Sequence, residues 1–375
     1  MVANKPINLT YKNLIKPILF KKDAEDVHNH FTKLGKQLTK NNTTKSLLLK
    51  TFRYENPKLK QKILGIDFAN PIGLSAGFDY DGHLAETMYY IGFGFNTVGT
   101  VTFQQYEGNK PPRLARLPKS KSLLVNKGFK SEGAEAVAKR LDKMNLHDKT
   151  VGLSVGSTNI PEIDTISKAI DDYINGFEVF KSKTYLKYFE INISCPNSRI
   201  TESFADLKNY EDLLKEIKNL NIKQPLFVKM ANELTLNHAS KLIKIGIENG
   251  ISGFIFSNLV KDRTNPYFDK TEIESVKNLK GNFSGKPTQK NADKLLRNMY
   301  KDYKNHTIFI GTGGVFNAQD AYEKIKNGAS LVQLITGMVF EGPQLIGKIN
   351  KDLVKMLKKN GFSNISEAIG CNFHK

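Results

Sequence analysis

Eight short apolar runs recur along this chain of 375 residues, and stretches with helical spacing separate them. The runs are 71–77, 94–101, 150–156, 187–193, 225–230, 252–257, 307–311 and 330–335. Strands that alternate with helices are typical of a parallel sheet, and eight such strands can close into a barrel. The pattern therefore predicts an α/β fold, a (β/α)8 TIM barrel, with a doubly wound open sheet as the alternative.

Two connections in this pattern, about 103–130 and 258–289, are too long for plain loops. They follow the second and the sixth apolar run. Functional sites of such barrels lie at the C-terminal ends of the strands, where these connections begin. We expect both connections to cover the site.

Residues 1–62 follow a different pattern, which predicts a small N-terminal helical extension before a barrel at 63–375. Asp23 is a plausible N-cap for a helix that ends near Leu38. The apolar stripe of this helix has i, i+4, i+7, i+11 spacing and consists of Val27, Phe31, Leu34 and Leu38. Two short amphipathic helices with a basic polar side fit the segment.

The charge of the chain is concentrated in this extension. Residues 1–62 hold 14 Lys and Arg against four acidic residues, a surplus of 10 out of the net +19. A Lys-rich composition can produce such a surplus without a function, but a basic segment also favours lipid headgroups or nucleic acid. Of the 56 basic residues 49 are Lys, whereas phosphate and base recognition favours Arg, so we expect no nucleic acid partner.

If the protein contacts a membrane, we expect it to lie on the surface of the bilayer rather than to span it. No apolar run approaches the ~18 residues that a spanning helix needs, and the N-terminus lacks the apolar core of a signal peptide. The two cysteines lie far apart in the sequence, which predicts a reducing compartment rather than a disulfide framework. The seven histidines are scattered, and we predict no metal site.

The segment 191–197, Ile-Asn-Ile-Ser-Cys-Pro-Asn, ends the fourth apolar run. Asn192 and Asn197 each offer a donor pair and an acceptor, which suits a planar polar ligand. Cys195 between them can move a proton or attack a carbon. The alternative is that Cys195 is a small buried apolar residue beside a turn.

Other strand ends carry small or polar residues that suit a bound ring and phosphate. Lys229 ends the fifth run, either as a surface lysine or as a ligand for an anionic ring. Gly313 and Gly314 follow the seventh run, and Thr336 and Gly337 follow the eighth. Loops at these two places bind phosphate in many barrels of this kind, which predicts a phosphate site.

With these residues the chain resembles the dihydroorotate dehydrogenases, flavin mononucleotide (FMN) enzymes of pyrimidine synthesis. The resemblance extends from about residue 10 to 355. The matching stretches are 70–77, 92–94, 99–102, 112–114, 192–197, 228–229, 284–287, 311–314, 328–337 and 340–343.

The resemblance implies oxidation of (S)-dihydroorotate to orotate, a step of UMP biosynthesis, with Cys195 as the catalytic base. The implied substrate-binding residues are Asn126, Asn192, Asn197 and Asn258. The implied FMN-binding residues are Ala76, Gly77, Thr100, Ser154, Asn192, Lys229, Ser257, Gly285, Gly313, Gly314, Thr336 and Gly337.

The extension resembles that of the membrane-associated, quinone-dependent class, in which two helices form the mouth of a quinone tunnel. The resemblance therefore implies a quinone as electron acceptor and a peripheral position on the cytoplasmic face of the cell membrane. The basic surplus gives this location an independent physical reason.

The chain departs from the quinone-dependent class at several places. Cys195 stands where that class carries serine, and cysteine there is typical of the cytosolic classes. The other departures are Tyr80, Val125, Ser154 and Ile335. They leave open a dihydroorotate dehydrogenase with a soluble acceptor, or another FMN barrel that acts on a pyrimidine ring. A flavin-free protein that docks on membranes is the alternative from a different functional class.

Overall fold

The computed structural model describes residues 5–373. Its strands are β1 Gln61–Ile63, β2 Ile66–Phe68, β3 Ile72–Leu74, β4 Phe95–Val101, β5 Leu114–Leu117, β6 Ser122–Val125, β7 Val151–Val155, β8 Leu186–Asn192, β9 Leu226–Met230, β10 Gly253–Phe256, β11 Asn282–Gly285, β12 Ile308–Gly311 and β13 Leu331–Leu334.

Most of the helices follow barrel strands, and the first four precede the barrel. The helices are α1 Lys5–Thr10, α2 Lys16–Phe20, α3 Ala24–Leu38, α4 Asn42–Phe52, α5 Ala85–Tyr90, α6 Ala134–Leu141, α7 Ile166–Phe180, α8 Leu207–Asn219, α9 Leu236–Glu248, α10 Lys270–Ser275, α11 Gln289–Tyr303, α12 Ala318–Lys326, α13 Thr336–Glu341 and α14 Leu345–Lys359.

Eight parallel strands close into a barrel in the order β3, β4, β7, β8, β9, β10, β12, β13. Each of these strands lies within one of the eight apolar runs or extends one residue beyond it, so the predicted barrel is confirmed and the open sheet is excluded. In the register of β8 and β9, Asn192 pairs with Lys229. Barrel closure therefore places these two candidate site residues side by side.

The barrel interior is apolar at the N-terminal end of the strands and polar nearer the C-terminal end. Aromatic rings of Phe95, Tyr188 and Phe227 fill the layer at the N-terminal end of the strands. Gly152 on β7 makes room for one ring, since a Cβ there would lie 2.1 Å from the Tyr188 ring. The site is therefore built on a packed floor rather than over an open pore.

The two long connections supply a separate sheet over the barrel. Strands β5 and β6 come from the first connection and β11 from the second, and they pair antiparallel in the order β11, β6, β5. The expectation that these connections cover the strand ends is confirmed in position, but their regular strands were not predicted.

The predicted N-cap of the main helix in the extension is confirmed. The Asp23 carboxylate accepts hydrogen bonds from the backbone N–H groups of Glu25 (2.8 Å) and Asp26 (3.0 Å) and caps α3. Among residues 5–373, no helix combines the length and the apolar character that crossing a bilayer requires. The domain boundary at residue 62 stays a prediction, and β1 spans it.

One buried ion cluster joins the extension to the covering sheet. The Glu25 carboxylate receives two contacts of 2.9 Å from the Arg113 guanidinium and pairs with the Lys127 ammonium. Burial raises the pKa of Glu25, but the hydrogen bonds from Lys127 and Arg113 outweigh it and hold the pKa below its usual value. The cluster fixes α3 against residues that flank Asn126.

Replacing Glu25 by glutamine should lower the free energy of unfolding by about 2–4 kcal/mol, because the buried Lys127 and the half-buried Arg113 lose their counter-charge. Urea denaturation of the parent and the variant measures this difference. It should narrow below pH 4.5, the ordinary pKa of the group, since the parent carboxylate is protonated only there.

The control is Glu178→Gln, which removes an exposed pair with Lys181 and should change the free energy by less than about 0.5 kcal/mol. Equal effects of the two substitutions would contradict the role assigned to the cluster.

Candidate active site

A single cavity of about 450 Å³ begins at the C-terminal ends of the barrel strands and reaches the helices of the extension. Its outer wall is apolar and includes the whole stripe predicted on α3, together with Leu19 and Phe20 of α2. Its deep wall carries Cys195 and Lys229. The extension and the C-terminal strand ends therefore line the same cavity.

Most of the site residues expected from the sequence line this cavity. They are Ala76, Gly77, Thr100, Asn192, Cys195, Asn197, Lys229, Ser257, Asn258, Gly285, Gly313, Gly314, Thr336 and Gly337. Two expected residues, Ser154 and Asn126, do not line it. They lie behind it, and each is hydrogen-bonded to another polar side chain.

Cys195 lies in a turn directly after β8, closed by a hydrogen bond from the Ser198 N–H to the Cys195 carbonyl (3.3 Å). The side chain is buried. Burial raises the pKa of the thiol to about 11, although the backbone N–H of Asn197 and the charge of Lys229 oppose the shift. Burial therefore favours the protonated thiol over the thiolate near neutral pH.

Two amides converge beside this turn. The Nδ2 of Asn258 donates to the Ser194 hydroxyl (3.0 Å) and lies 3.4 Å from Oδ1 of Asn192. The Nδ2 of Asn192 donates to the Thr100 hydroxyl (2.9 Å), which is itself bonded to the Ser154 hydroxyl (2.9 Å). Ser154 therefore orients a residue of the cavity wall instead of forming that wall.

Asn197 is held from both ends of its side chain. Its Nδ2 donates to the Val125 carbonyl (2.9 Å), and its Oδ1 accepts from Nδ2 of Asn282 (2.7 Å). An amide has two donors and two acceptor positions, so one of each stays available for a ligand. The side chain is oriented in advance and still able to bind.

Lys229 is a buried cation at the floor of the cavity, and its ammonium donates to the Ser75 hydroxyl (3.1 Å). Burial lowers its pKa, and the Glu190 carboxylate offsets part of this shift. Glu190 lies in the polar layer below, where it accepts from Thr97 (2.6 Å) and Gln333 (2.7 Å). A buried ammonium above one carboxylate is suited to an anionic ring.

Three glycines line the cavity at the seventh and eighth strand ends. A Cβ on Gly313 would lie 2.4 Å from the Thr288 hydroxyl, and a Cβ on Gly337 would lie 2.0 Å from the Val315 carbonyl. Gly313 and Gly314 have φ of +88° and +71°, which side chains rarely adopt. Only glycine lets the backbone approach this closely, which fits a phosphate cradled by main chain.

The outer part of the cavity holds polar rings among apolar side chains. The His28 ring lies 5.2 Å from the Tyr80 ring, and the Lys127 ammonium lies 5.2 Å from the same ring. Burial and the charge of Lys127 lower the pKa of His28 to about 4, so this imidazole is neutral at physiological pH. Tyr80, one of the departures noted in the sequence, belongs to this outer part.

Three side chains that the sequence did not single out could coordinate a metal ion. Ligand atoms of Asp81, His83 and Glu132 lie within 4.8 Å of one another. The Glu132 carboxylate also pairs with the Arg140 guanidinium, which already supplies a positive charge. The group lies outside the lining of the cavity.

Sequence reasoning missed the asparagines that support the site. Asn109, Asn159 and Asn282 bond to Asn197, but they lie 88, 38 and 85 residues away in the chain. No spacing pattern relates residues so far apart. Their positions in the two covering connections and in the loop after β7 were the only available signal.

Comparisons with known proteins agree with this geometry. The family model for dihydroorotate dehydrogenase matches residues 58–357. The protein of Trichodesmium erythraeum named dihydroorotate dehydrogenase (quinone) is 34% identical, and the match covers 96% of this chain and 98% of that protein. The protein of Helicobacter acinonychis with the same name is also 34% identical, with coverage of 96% and 99%.

A solved structure is similar over almost the whole chain. The crystal structure of DHODH from Eimeria tenella in complex with ferulenol superposes with a TM-score of 0.82 at 26% identity. The superposition covers 93% of this chain and 96% of that one. The family model, the relatives and the fold lead to one conclusion: the chain belongs to the dihydroorotate dehydrogenase family.

Proposed function

We propose that this protein oxidises (S)-dihydroorotate to orotate with FMN and passes the electrons to a quinone, in pyrimidine biosynthesis. The observation that carries the proposal is the single cavity, in which Cys195 and buried amides at one end are continuous with the apolar helices at the other. Relatives with nearly complete coverage are named for the quinone-dependent reaction.

The strand ends fit FMN. Gly313, Gly314 and Gly337 would receive its phosphate, and Lys229 would lie against the flavin ring. When bound, FMN accepts a hydride from carbon and later releases two electrons. The Lys229 ammonium would stabilise negative charge on that ring, because a buried cation acts strongly where water is excluded.

The amides Asn192, Asn197 and Asn258 bind the ring and carboxylate of dihydroorotate, since all three line the cavity and Asn197 keeps one donor and one acceptor position. Cys195, as the thiolate, would take the proton from C5, and the hydride would leave C6 for bound FMN, which gives orotate. The two electrons and two protons would then convert a quinone to a quinol. Asn126 contributes through its neighbours, because its side chain lies behind the wall.

The extension suits a peripheral membrane position and a quinone entrance. Leu14 and Ile18 are 61% and 55% exposed, although both are apolar. Surface leucine and isoleucine in a basic segment bind a bilayer interface by apolar burial and attraction to anionic lipid. The apolar stripe on α3 lines the cavity, with Phe31 and Leu34 partly exposed, and provides a path for a quinone ring.

A soluble acceptor and a different pyrimidine substrate are the rival functions, and anaerobic titration of the purified protein with two candidate substrates tests the second of them. Equimolar dihydroorotate should bleach the flavin absorbance, whereas dihydrouracil, which lacks the carboxylate, should not. Protein without flavin bands after incubation with FMN would contradict the proposal, and so would bleaching by dihydrouracil alone.

Replacing Cys195 by alanine should slow flavin reduction by dihydroorotate about 10²–10⁴-fold, the usual contribution of a general base. The parental rate should rise about tenfold per pH unit from about pH 7 to 10, because the thiolate is the active form and burial places the pKa near 11. Rapid mixing under anaerobic conditions measures these rates.

The matched control is Cys371→Ala, which removes the other cysteine and should leave the rate unchanged. Cys195→Ser should retain some activity and require higher pH than the parent. Parental reduction by the Cys195→Ala protein would show that the thiol has only a packing role.

Replacing Gly313 by alanine should weaken FMN binding about tenfold or more, because the new Cβ displaces the backbone at the cavity wall. Gly361→Ala is the matched control, since its φ is +76° but nothing lies within 4 Å of the added atom. Flavin absorbance per protein and quenching of FMN fluorescence measure binding. Equal affinity of both variants would place the phosphate elsewhere.

Replacing Leu14 by glutamate should weaken binding to vesicles of phosphatidylcholine and phosphatidylglycerol about tenfold or more. Leu64→Glu is the control, because Leu64 is apolar and 46% exposed but lies outside the extension. Vesicle sedimentation measures the effect, and binding of the parent should weaken as salt rises. If both variants bind as the parent does, the extension does not contact the membrane through this surface.

A further inference from the structure

Asn109 connects four segments of the chain around the candidate site. Its Oδ1 accepts hydrogen bonds from the Tyr106 hydroxyl (2.7 Å) and from Nδ2 of Asn159 (3.1 Å). Its Nδ2 donates to Oδ1 of Asn126 and to the carbonyl of Asn197, both at 2.9 Å. These four bonds use every donor and acceptor position that an amide side chain possesses.

The two donated bonds reach the parts of the chain that face the substrate side of the cavity. The Asn197 carbonyl lies at the end of the turn that presents Cys195, and the Asn197 side chain donates to the Val125 carbonyl (2.9 Å). Asn109 therefore holds the segment 125–126 and the Cys195 turn at a fixed separation.

Packing keeps the Asn109 side chain in this position. Its backbone N–H donates to the Lys127 carbonyl (3.1 Å). Gly128 passes so close that a Cβ there would lie 2.4 Å from Oδ1 of Asn109, and its φ is +64°. The side chain is enclosed by the loop that it orients, and it does not itself line the cavity.

From these contacts we infer that Asn109 is a positioning residue for the oxidation of dihydroorotate. It acts through Asn197 and the Cys195 turn, and it leaves the FMN phosphate end and the helices of the extension untouched. The inference rests on the proposed function, because the positioned groups are those assigned to the substrate.

The substitution Asn109→Asp isolates the two donated bonds. Aspartate has nearly the same shape and still accepts from Tyr106 and Asn159, but it presents an oxygen where the amide donated. The Asn126 amide can turn over and donate, whereas the carbonyl of Asn197 cannot. The turn that carries Cys195 is therefore pushed out of place.

In the FMN-loaded enzyme, Asn109→Asp should reduce the rate of flavin reduction by dihydroorotate about 10–100-fold, the cost of a small misplacement of reacting groups. The affinity for orotate should fall by a similar factor. FMN content and the rate at which a short-chain quinone reoxidises the flavin should stay within about twofold of the parent, which a general structural defect would not allow.

Tyr106→Phe is the matched control, because it removes one accepted bond and leaves both donated bonds in place; its rate should stay within about threefold of the parent. Asn109→Ser removes both donated and both accepted bonds of the amide without adding a charge, and it decides the question if the aspartate protein does not fold. If the two Asn109 variants reduce flavin and bind orotate as the parent does, the inference is overturned. Loss of FMN from both Asn109 variants would also overturn it.

The same experiment distinguishes failure of the proposed function from failure of the inference about Asn109. A parent protein that dihydroorotate does not reduce would overturn the proposed function, and this inference with it. A parent that is reduced while the Asn109 variants match it would overturn the inference alone.

Discussion

Closure of the barrel between its last and first strands is the constraint on which the site depends. Val332, Gln333 and Leu334 of β13 pair with Ile72, Gly73 and Leu74 of β3, about 260 residues earlier in the chain. Because all eight strands are parallel, this pairing brings every C-terminal strand end to one rim. Groups from Ser75 to Gly337 then share a cavity, and neighbouring registers set their order, as for Asn192 beside Lys229.

The barrel and much of its wall could be predicted from the sequence, because apolar runs and the residues that end them are local signals. The raised pKa of the Cys195 thiol could not be predicted, because it results from burial in the folded chain. The orientation of Asn126 was missed for a similar reason: its partner Asn109 lies in a connection without periodic pattern. Ser154 was expected to contact the flavin, but it lies behind Thr100 and bonds to its hydroxyl. The spacing of residues in the sequence does not show which of two neighbouring polar residues faces a cavity.

The extension has two apolar surfaces with different surroundings. Leu14 and Ile18 are exposed and do not line the cavity, whereas the stripe on α3 lines it, although Phe31 and Leu34 are partly exposed as well. Glu25 fixes α3 to Arg113 and Lys127, and Lys127 directly follows Asn126. Contacts of the extension therefore reach the proposed substrate side of the barrel, and deletion of these helices would remove more than the proposed membrane contact. The sequence predicted a helical extension before the barrel, and in the structure the ion cluster around Glu25 joins that extension to residues that flank the covering sheet.

One cavity serves both halves of the proposed reaction, and reoxidation of the flavin after reduction by dihydroorotate tests this most directly. The protein is first bleached anaerobically with equimolar dihydroorotate and then mixed rapidly with vesicles that contain a long-chain quinone. Flavin absorbance should return fully, with one quinol formed for each orotate. Flavin that stays reduced with the vesicles but is reoxidised by a water-soluble acceptor such as NAD⁺ or fumarate would contradict it.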